Sequence, residues 1–208
     1  MRFKTIKDDL GRLVAYRNGE GSMMLPTSPQ FNKLVKDEPQ FEKTSYMLKW
    51  TNMRCGYSFI AWQCGPRNGK ATPFADKRVR RAMTMLLDRE RMIRDIWDGI
   101  GIVAKGPNAP ESDPRQIWHS ESVKEGGDNF TQWVNKDCDA LIEKGRRTMD
   151  EEQRMLVWRQ FEACVAEDQP YTFVRVAPWL RFVKREFGNV NTYKTGLEPQ
   201  EFFRASDG

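Results

Sequence analysis

His119 is the single histidine of this 208-residue chain, so any histidine-dependent nucleophile, base or metal cluster has to be assembled around it. Its sequence neighbours with suitable chemistry are Asp113, Ser120 and Ser122. None of them sits in a nucleophile elbow, and no His-Glu-x-x-His pair exists to hold a catalytic zinc. A surface or capping role for His119 is therefore expected over a catalytic one. Two acid pairs, Asp137 with Asp139 and Glu151 with Glu152, fall at the starts of expected helices. Carboxylates are favoured there by the helix dipole, so capping explains them without a general acid. Cys55, Cys64, Cys138 and Cys164 match neither a zinc ribbon nor a redox Cys-x-x-Cys pair. An even number permits disulfides in an oxidising compartment, but buried free thiols are the expectation. Gly65 to Thr72, GPRNGKAT, invites a phosphate-loop reading because a helix follows. Its spacing is one residue short, and Ala71 stands where a magnesium-binding hydroxyl is needed. It reads as a polar loop between strand and helix. No enzyme activity, cofactor or metal is expected.

The composition narrows the remaining classes. A chain of this length can bury a substantial core as one large domain or two small ones. Charged residues make up 30% and mean hydropathy is −0.72, yet 39% hydrophobic and 12% aromatic residues argue against disorder. Lysine and arginine total 34 against 29 acids, a net charge of +5, with no basic block or tail. A dedicated nucleic-acid binder concentrates its basic residues, so none is expected as partner. No apolar run approaches a membrane span, and no hydrophobic signal-peptide core follows Met1. Taken literally the chain stays where it is made; the alternative is a piece whose export signal is not included.

The elements follow from periodicity and caps. A strand over 2–6 leads into a helix carrying Leu10, Leu13, Val14 and Tyr16 and closed by Gly19. A short helix over 31–36 is flanked by prolines, and 45–63 read as two aromatic strands around a turn near 52–56. Asp76 is placed to cap a helix whose Val79, Ala82, Met83 and Leu86 recur at i, i+3, i+4 and i+7. Lys77, Arg78, Arg80 and Arg81 then form its solvated side. Asp88 starts a second helix with Met92, Ile93, Ile96 and Trp97, stopped by Gly99 and Gly101. Asn135 caps a helix through Cys138, Leu141 and Ile142; Asp150 and Gln153 start a longer one bearing Leu156, Phe161, Cys164 and Val165. Pro170 ends that helix, and 171–176 and 180–183 read as strands separated by Pro178.

This string of elements resembles one family. Asp76-x-Arg78-Val79-Arg80-x-Ala82, then Asp88-Arg89-Glu90, then Gly99-x-Gly101-x-x-Ala104-x-Gly106-Pro107 is similar in order to the family 5 bacterial extracellular solute-binding proteins. Further on, Asp113-Pro114, Trp118-x-Ser120, the run from Asn129-Phe130 to Ile142 and Gln169-Pro170-Tyr171 continue the resemblance. It implies an α/β chain forming part of a type II periplasmic-binding-protein fold, its C-terminal lobe, with a mixed sheet and flanking helices. Pro107 runs straight into Asn108-Ala109-Pro110, where the family carries a long α/β segment, and the first lobe would precede residue 1. The expectation is a single partial domain over 1–208 with a deletion junction near 107–108.

The resemblance further implies peptide-type ligand capture for an ABC importer, in the periplasm or at the cell surface, with the importer's permease as partner. Family strands of the 45–63 type line the ligand cleft. Trp50, Tyr57 and Trp62 are therefore ligand-stacking candidates, although core packing is the commoner fate of such residues. Trp118 joins them. Asn108 falls near the place where some members hold the ligand's α-ammonium with an aspartate, a charge that asparagine cannot supply, and Asp113-Pro114 matches the family's Asp-Pro pair. The alternative is a non-catalytic interaction domain that keeps the fold and binds no small ligand. An exposed sheet edge predicts a tendency to form homodimers.

Overall fold

The computed structural model describes residues 4–51, 56–107 and 113–204. In chain order its elements are α1 (Asp9–Arg17), β1 (Met23–Met24), α2 (Ser28–Asp37), β2 (Ser45–Trp50), β3 (Tyr57–Ala61), α3 (Lys77–Met85), α4 (Arg89–Ile96), β4 (Ile102–Val103) and α5 (Arg115–Trp118). There follow α6 (Lys136–Arg147), α7 (Glu151–Asp168), β5 (Tyr171–Val176), β6 (Trp179–Lys184), β7 (Phe187–Gly188), β8 (Thr192–Tyr193), β9 (Gly196–Leu197) and β10 (Phe203–Arg204). The chain divides into two compact units. Met1–Gly56, Arg91–Ile102 and Val176–Gly208 form the first; Tyr57–Glu90 and Val103–Arg175 form the second.

The first unit is built on Phe182 of β6, which is fully buried. Its ring lies 5.1 Å from Phe41, 5.6 Å from Phe31 and 6.2 Å from Tyr16. Asp8 caps α1 by accepting from the Gly11 amide, and Gly19 at φ +76 lets the chain turn away after Asn18. Tyr16 is the side chain that α1 delivers to the core: its hydroxyl donates to buried Ser45 at 2.9 Å, and burial pushes its pKa up to about 12. Leu10 and Val14, expected on the inner face, are exposed. No strand forms over the described residues 4–6, which have no paired edge beside them. Thr27 and Gln30 make a reciprocal capping box at the start of α2. The sheet has the order β1-β6-β2, antiparallel throughout.

The second unit holds a sheet of order β3-β5-β4, with α3, α6 and α7 among its helices. The two strands read as flanking a turn, β2 and β3, are both present but do not pair. β2 runs along β6, and β3 runs along β5. The helix caps match the sequence: Asp76 accepts from Arg78, Asn135 from Asp137 and Cys138, and Asp150 from Gln153. The buried face of α3 does not. Arg80 and Thr84 point inward, whereas Leu86 and Met85 are 77% and 84% exposed. Arg80 is tolerated there because backbone carbonyls meet its guanidinium: Asp168 at 2.8 Å, Phe74 at 2.7 Å and Ala75 at 3.2 Å. Trp62 packs on Phe74 with the rings tilted by 34°, and its indole donates to Thr172 at 2.9 Å.

Cys138 on α6 and Cys164 on α7 are disulfide-bonded, their Cα atoms 6.2 Å apart, which corrects the expectation of free thiols. The same helix pair closes tightly at Gly145, where a Cβ would lie 2.5 Å from the Trp158 ring. Cys64 is the free thiol among the described residues, and burial pushes its pKa up to about 11. Cys55 lies outside the described residues. In the loop before α3, Asn68 and Gly69 take positive φ between Arg67 and Lys70, whose backbones bond each other in a tight turn. That turn occupies the phosphate-loop-like GPRNGKAT segment.

Candidate functional site

Strand alternation decides where the first unit can bind anything. On β6, Leu180 and Phe182 point to the core, so Trp179 and Arg181 point to the opposite face. The register places Trp50 directly across from Trp179 and Leu48 across from Arg181, while Met23 on β1 faces Val183. That second face carries a cavity of about 200 Å³, walled by Met23, Trp50, Trp179 and Arg181. The segment from Thr195 to Pro199, including β9, forms its roof. Trp50 and Trp179 stack at 6.4 Å and 25°. The Arg181 guanidinium lies 4.7 Å over the Trp179 ring, and one of its nitrogens donates to the Leu180 carbonyl at 2.7 Å.

Two groups on this face are incompletely answered. The Trp50 indole nitrogen is buried with no acceptor among the described residues. Arg181 has no carboxylate partner among them either, and burial lowers its pKa from the ordinary arginine value. A half-buried guanidinium without a counter-charge is electrostatically incomplete. The roof supplies no acid at hydrogen-bond distance: Glu198 accepts from Thr195 at 3.3 Å and from Gln200.

The second unit places its aromatic candidates differently. Trp118 is 4% exposed and packs on Tyr171 and Phe173 at 4.6 and 6.2 Å. Tyr57 meets Phe173 edge-on at 5.1 Å, and burial pushes its phenol up to about 12. Trp62 is in the core, as described. Tyr57 and Trp118 therefore converge on one residue, Phe173, whereas Trp50 belongs to the first unit. Asp113 is exposed and already paired: it accepts from the Arg115 amide and from Arg146, each at 3.0 Å. Asn108 and the 107–108 junction fall on or beside residues 108–112, outside the described residues. His119 is buried and caps the turn that follows, its Nδ1 accepting from the Glu121 amide at 3.1 Å. Its Nε2 faces Glu143 at 3.8 Å. Among the described residues no cluster of three His, Cys, Asp or Glu side chains is arranged to hold a metal ion.

Comparison with known proteins places the chain. The pattern of the bacterial extracellular solute-binding proteins, family 5 Middle, matches residues 1–151. The chain belongs to this family. Over 82 residues it is 37% identical to the oligopeptide-binding protein AppA of Bacillus subtilis, 39% of this chain and 14% of that protein. The solved structure of the oligopeptide-binding protein AppA from Bacillus subtilis, in complex with a nonapeptide, superposes with a TM-score of 0.75 at 16% identity, covering 97% of this chain and 59% of that one. NikZ from Campylobacter jejuni, in complex with Ni(L-His), gives 0.70 at 14% identity, over 93% and 58%. The fold is therefore that of the type II periplasmic binding proteins, a mixed α/β architecture. The chain spans about three fifths of the length of these solved structures. No helix among the described residues is long and apolar enough to cross a membrane.

Trp179, Arg181 and the 195–199 roof were not singled out from the sequence. The alternation in Trp179-Leu180-Arg181-Phe182 was the available signal, since an arginine between core residues on a strand must face away from that core. Nothing local marks the roof.

Proposed function

We propose that this chain captures a peptide-type ligand noncovalently, as part of the solute-binding component of an ABC importer outside the cytoplasmic membrane. The observation that carries this reading is family membership, joined to a cavity lined by Trp50, Trp179 and an Arg181 that has no carboxylate partner among the described residues. AppA, similar to this chain in sequence and fold, is an oligopeptide-binding protein solved with a nonapeptide. The Cys138–Cys164 disulfide supports an extracytoplasmic location, because such bonds persist in oxidising compartments. Capture needs no nucleophile, and the sole histidine is engaged as a cap. The importer's permease would be the macromolecular partner. A second reading, an interaction domain without small-ligand binding, is favoured by the cavity's size: about 200 Å³ encloses a single residue rather than a peptide.

Calorimetry and thermal melts of the purified chain against di- to hexapeptides, with a nickel–histidine complex included, separate the two. A ligand present at about 100 times its Kd adds roughly 2.7 kcal/mol of stability. Saturable stabilisation by one ligand class supports capture. A cooperative melt that no ligand shifts supports the interaction domain. Light scattering on the same sample tests edge-mediated dimers, which a monomeric mass at high concentration would remove.

A further inference from the structure

We infer that His119 is a proton-operated latch: neutral, its Nδ1 holds the turn that follows it; protonated, the same nitrogen moves to Asp139 and lets that turn go. The latch lies wholly in the second unit and is independent of ligand capture. His119 follows α5, is 6% exposed, and its Nδ1 accepts from the Glu121 amide at 3.1 Å. A ring nitrogen that accepts from an amide carries no proton. The proton of the neutral ring is therefore on Nε2, which faces Glu143 at 3.8 Å. Asp139 Oδ1 lies 3.8 Å from Nδ1 itself.

The two neighbours of Nδ1 require opposite protonation states. An amide N–H needs a lone pair, and a carboxylate needs a proton. Once Nδ1 is protonated, it and the Glu121 amide are two donors face to face, and the attraction is toward Asp139. Asp139 has room for it. Its Oδ1 accepts from the Ser120 amide at 2.8 Å and keeps a second lone pair, while Oδ2 meets Lys136 at 3.2 Å, a side chain 79% exposed. The net downward shift of its pKa keeps this carboxyl ionised while an imidazole titrates. Glu143 is already surrounded by cations: Arg115 of α5, with Arg146 at 3.5 Å and Arg147 at 3.8 Å from α6. Glu121 pairs with Arg115 at 2.6 Å, and Asp128 is turned to Gln116 at 2.7 Å. The turn over Ser120–Val123 has two other ties. Ser122 Oγ donates to the Arg115 carbonyl at 2.8 Å, and the Asn129 amide donates to the Ser122 carbonyl at 3.1 Å. Neither of these bonds involves a titrating atom. The segment leads to Phe130, an exposed ring stacked on Tyr171 at 5.7 Å, so acid loosens the chain that presents this ring.

The test uses the full chain, whose single histidine gives one set of imidazole signals. At pH 8 the ring ¹⁵N shifts should place the proton on Nε2. Between pH 8 and pH 5 the ring should titrate. On the same curve, protection of the Glu121 amide against hydrogen exchange, corrected for the intrinsic rate at each pH, should fall about fivefold or more, the scale of a lost cap. His119→Asn puts an amide oxygen where Nδ1 stands, which keeps the acceptor and removes the titration; protection should then be flat across this range. Asp139→Asn should move the curve to lower pH, because a carboxylate at 3.8 Å favours the charged ring. An unmoved curve would overturn Asp139 as the second partner. A proton on Nδ1 at pH 8, a titration that leaves Glu121 protected, or a loss of protection that persists in His119→Asn would each overturn the latch. So would a ring that stays neutral until the whole chain unfolds.

Discussion

Trp50 of the first unit and Trp62 and Trp133 of the second are treated in opposite ways. In the second, Trp62 donates to Thr172 at 2.9 Å and Trp133 to Asp168 at 3.0 Å, and both rings are buried. In the first, Trp50 is half-buried, stacks on its cross-strand neighbour and leaves its indole nitrogen unanswered. Arg80 and Arg181 differ in a similar way. Arg80 in the second unit is 3% exposed and held by three backbone carbonyls, whereas Arg181 in the first has one carbonyl and a ring face. Residue type alone therefore says little about role in this chain. A buried polar group whose bonds are complete is part of the framework; one left incomplete carries a cost that the rest of the unit has to offset.

The sharpest way to break this contrast is to remove the centre of the first unit. Phe182→Ala deletes a fully buried ring touched by three aromatic neighbours, and urea melts should show a loss of about 3–5 kcal/mol. A loss under 1 kcal/mol would mean that this core is not organised around it. The second unit carries its own covalent tie. Reducing Cys138–Cys164, or replacing both with alanine, frees a separation of 26 residues and should cost about 3 kcal/mol by the loop-entropy argument. An unchanged melting temperature under reductant would contradict the pairing.

The tryptophan contrast is tested by matched substitutions. Trp62→Phe removes the indole bond to the Thr172 hydroxyl, which keeps Thr84 as its partner, and should cost about 1 kcal/mol, while Trp50→Phe, with no bond to lose, should stay within about 0.5 kcal/mol. Equal costs would erase the distinction between framework and site. The smallest effect is in acid. Burial raises the Asp139 pKa, but the Ser120 amide at 2.8 Å, Lys136 and nearby His119 more than offset that, and the net shift is downward. A carboxyl lowered in the folded state contributes stability that is present above its unfolded value of about 3.9 and disappears as pH falls through the folded value. Asp139→Asn should therefore flatten part of the stability loss below about pH 4.

What was legible from residue order was whatever short-range chemistry controls. Asp76, Asn135 and Asp150 cap their helices because a side-chain oxygen reaches amides two or three residues on, with no help from the rest of the chain. Gly99 and Gly101 end α4 in positive φ for the same local reason. Partner choice was not legible. β2 and β3 are neighbours in sequence with similar aromatic content, yet each pairs with a strand more than 100 residues away. The apolar periodicity of α3 misled because the carbonyl of Asp168, 88 residues on from Arg80, makes a buried guanidinium acceptable. Trp62 and Trp118 were ligand-stacking candidates for which core packing was the commoner fate, and their low exposure puts them in the core.

Sequence by itself determined the family, the α/β class and most helix boundaries, since motif order, caps and apolar spacing act over a few residues. Tertiary structure alone decided which arginine is framework and which faces a cavity, which cysteines pair, and that Trp50 meets Trp179 across a strand pair. Each of those outcomes depends on a partner that chain topology brings from more than 20 residues away. Long-range contacts of that kind are set by the summed packing of the unit, which no local pattern encodes.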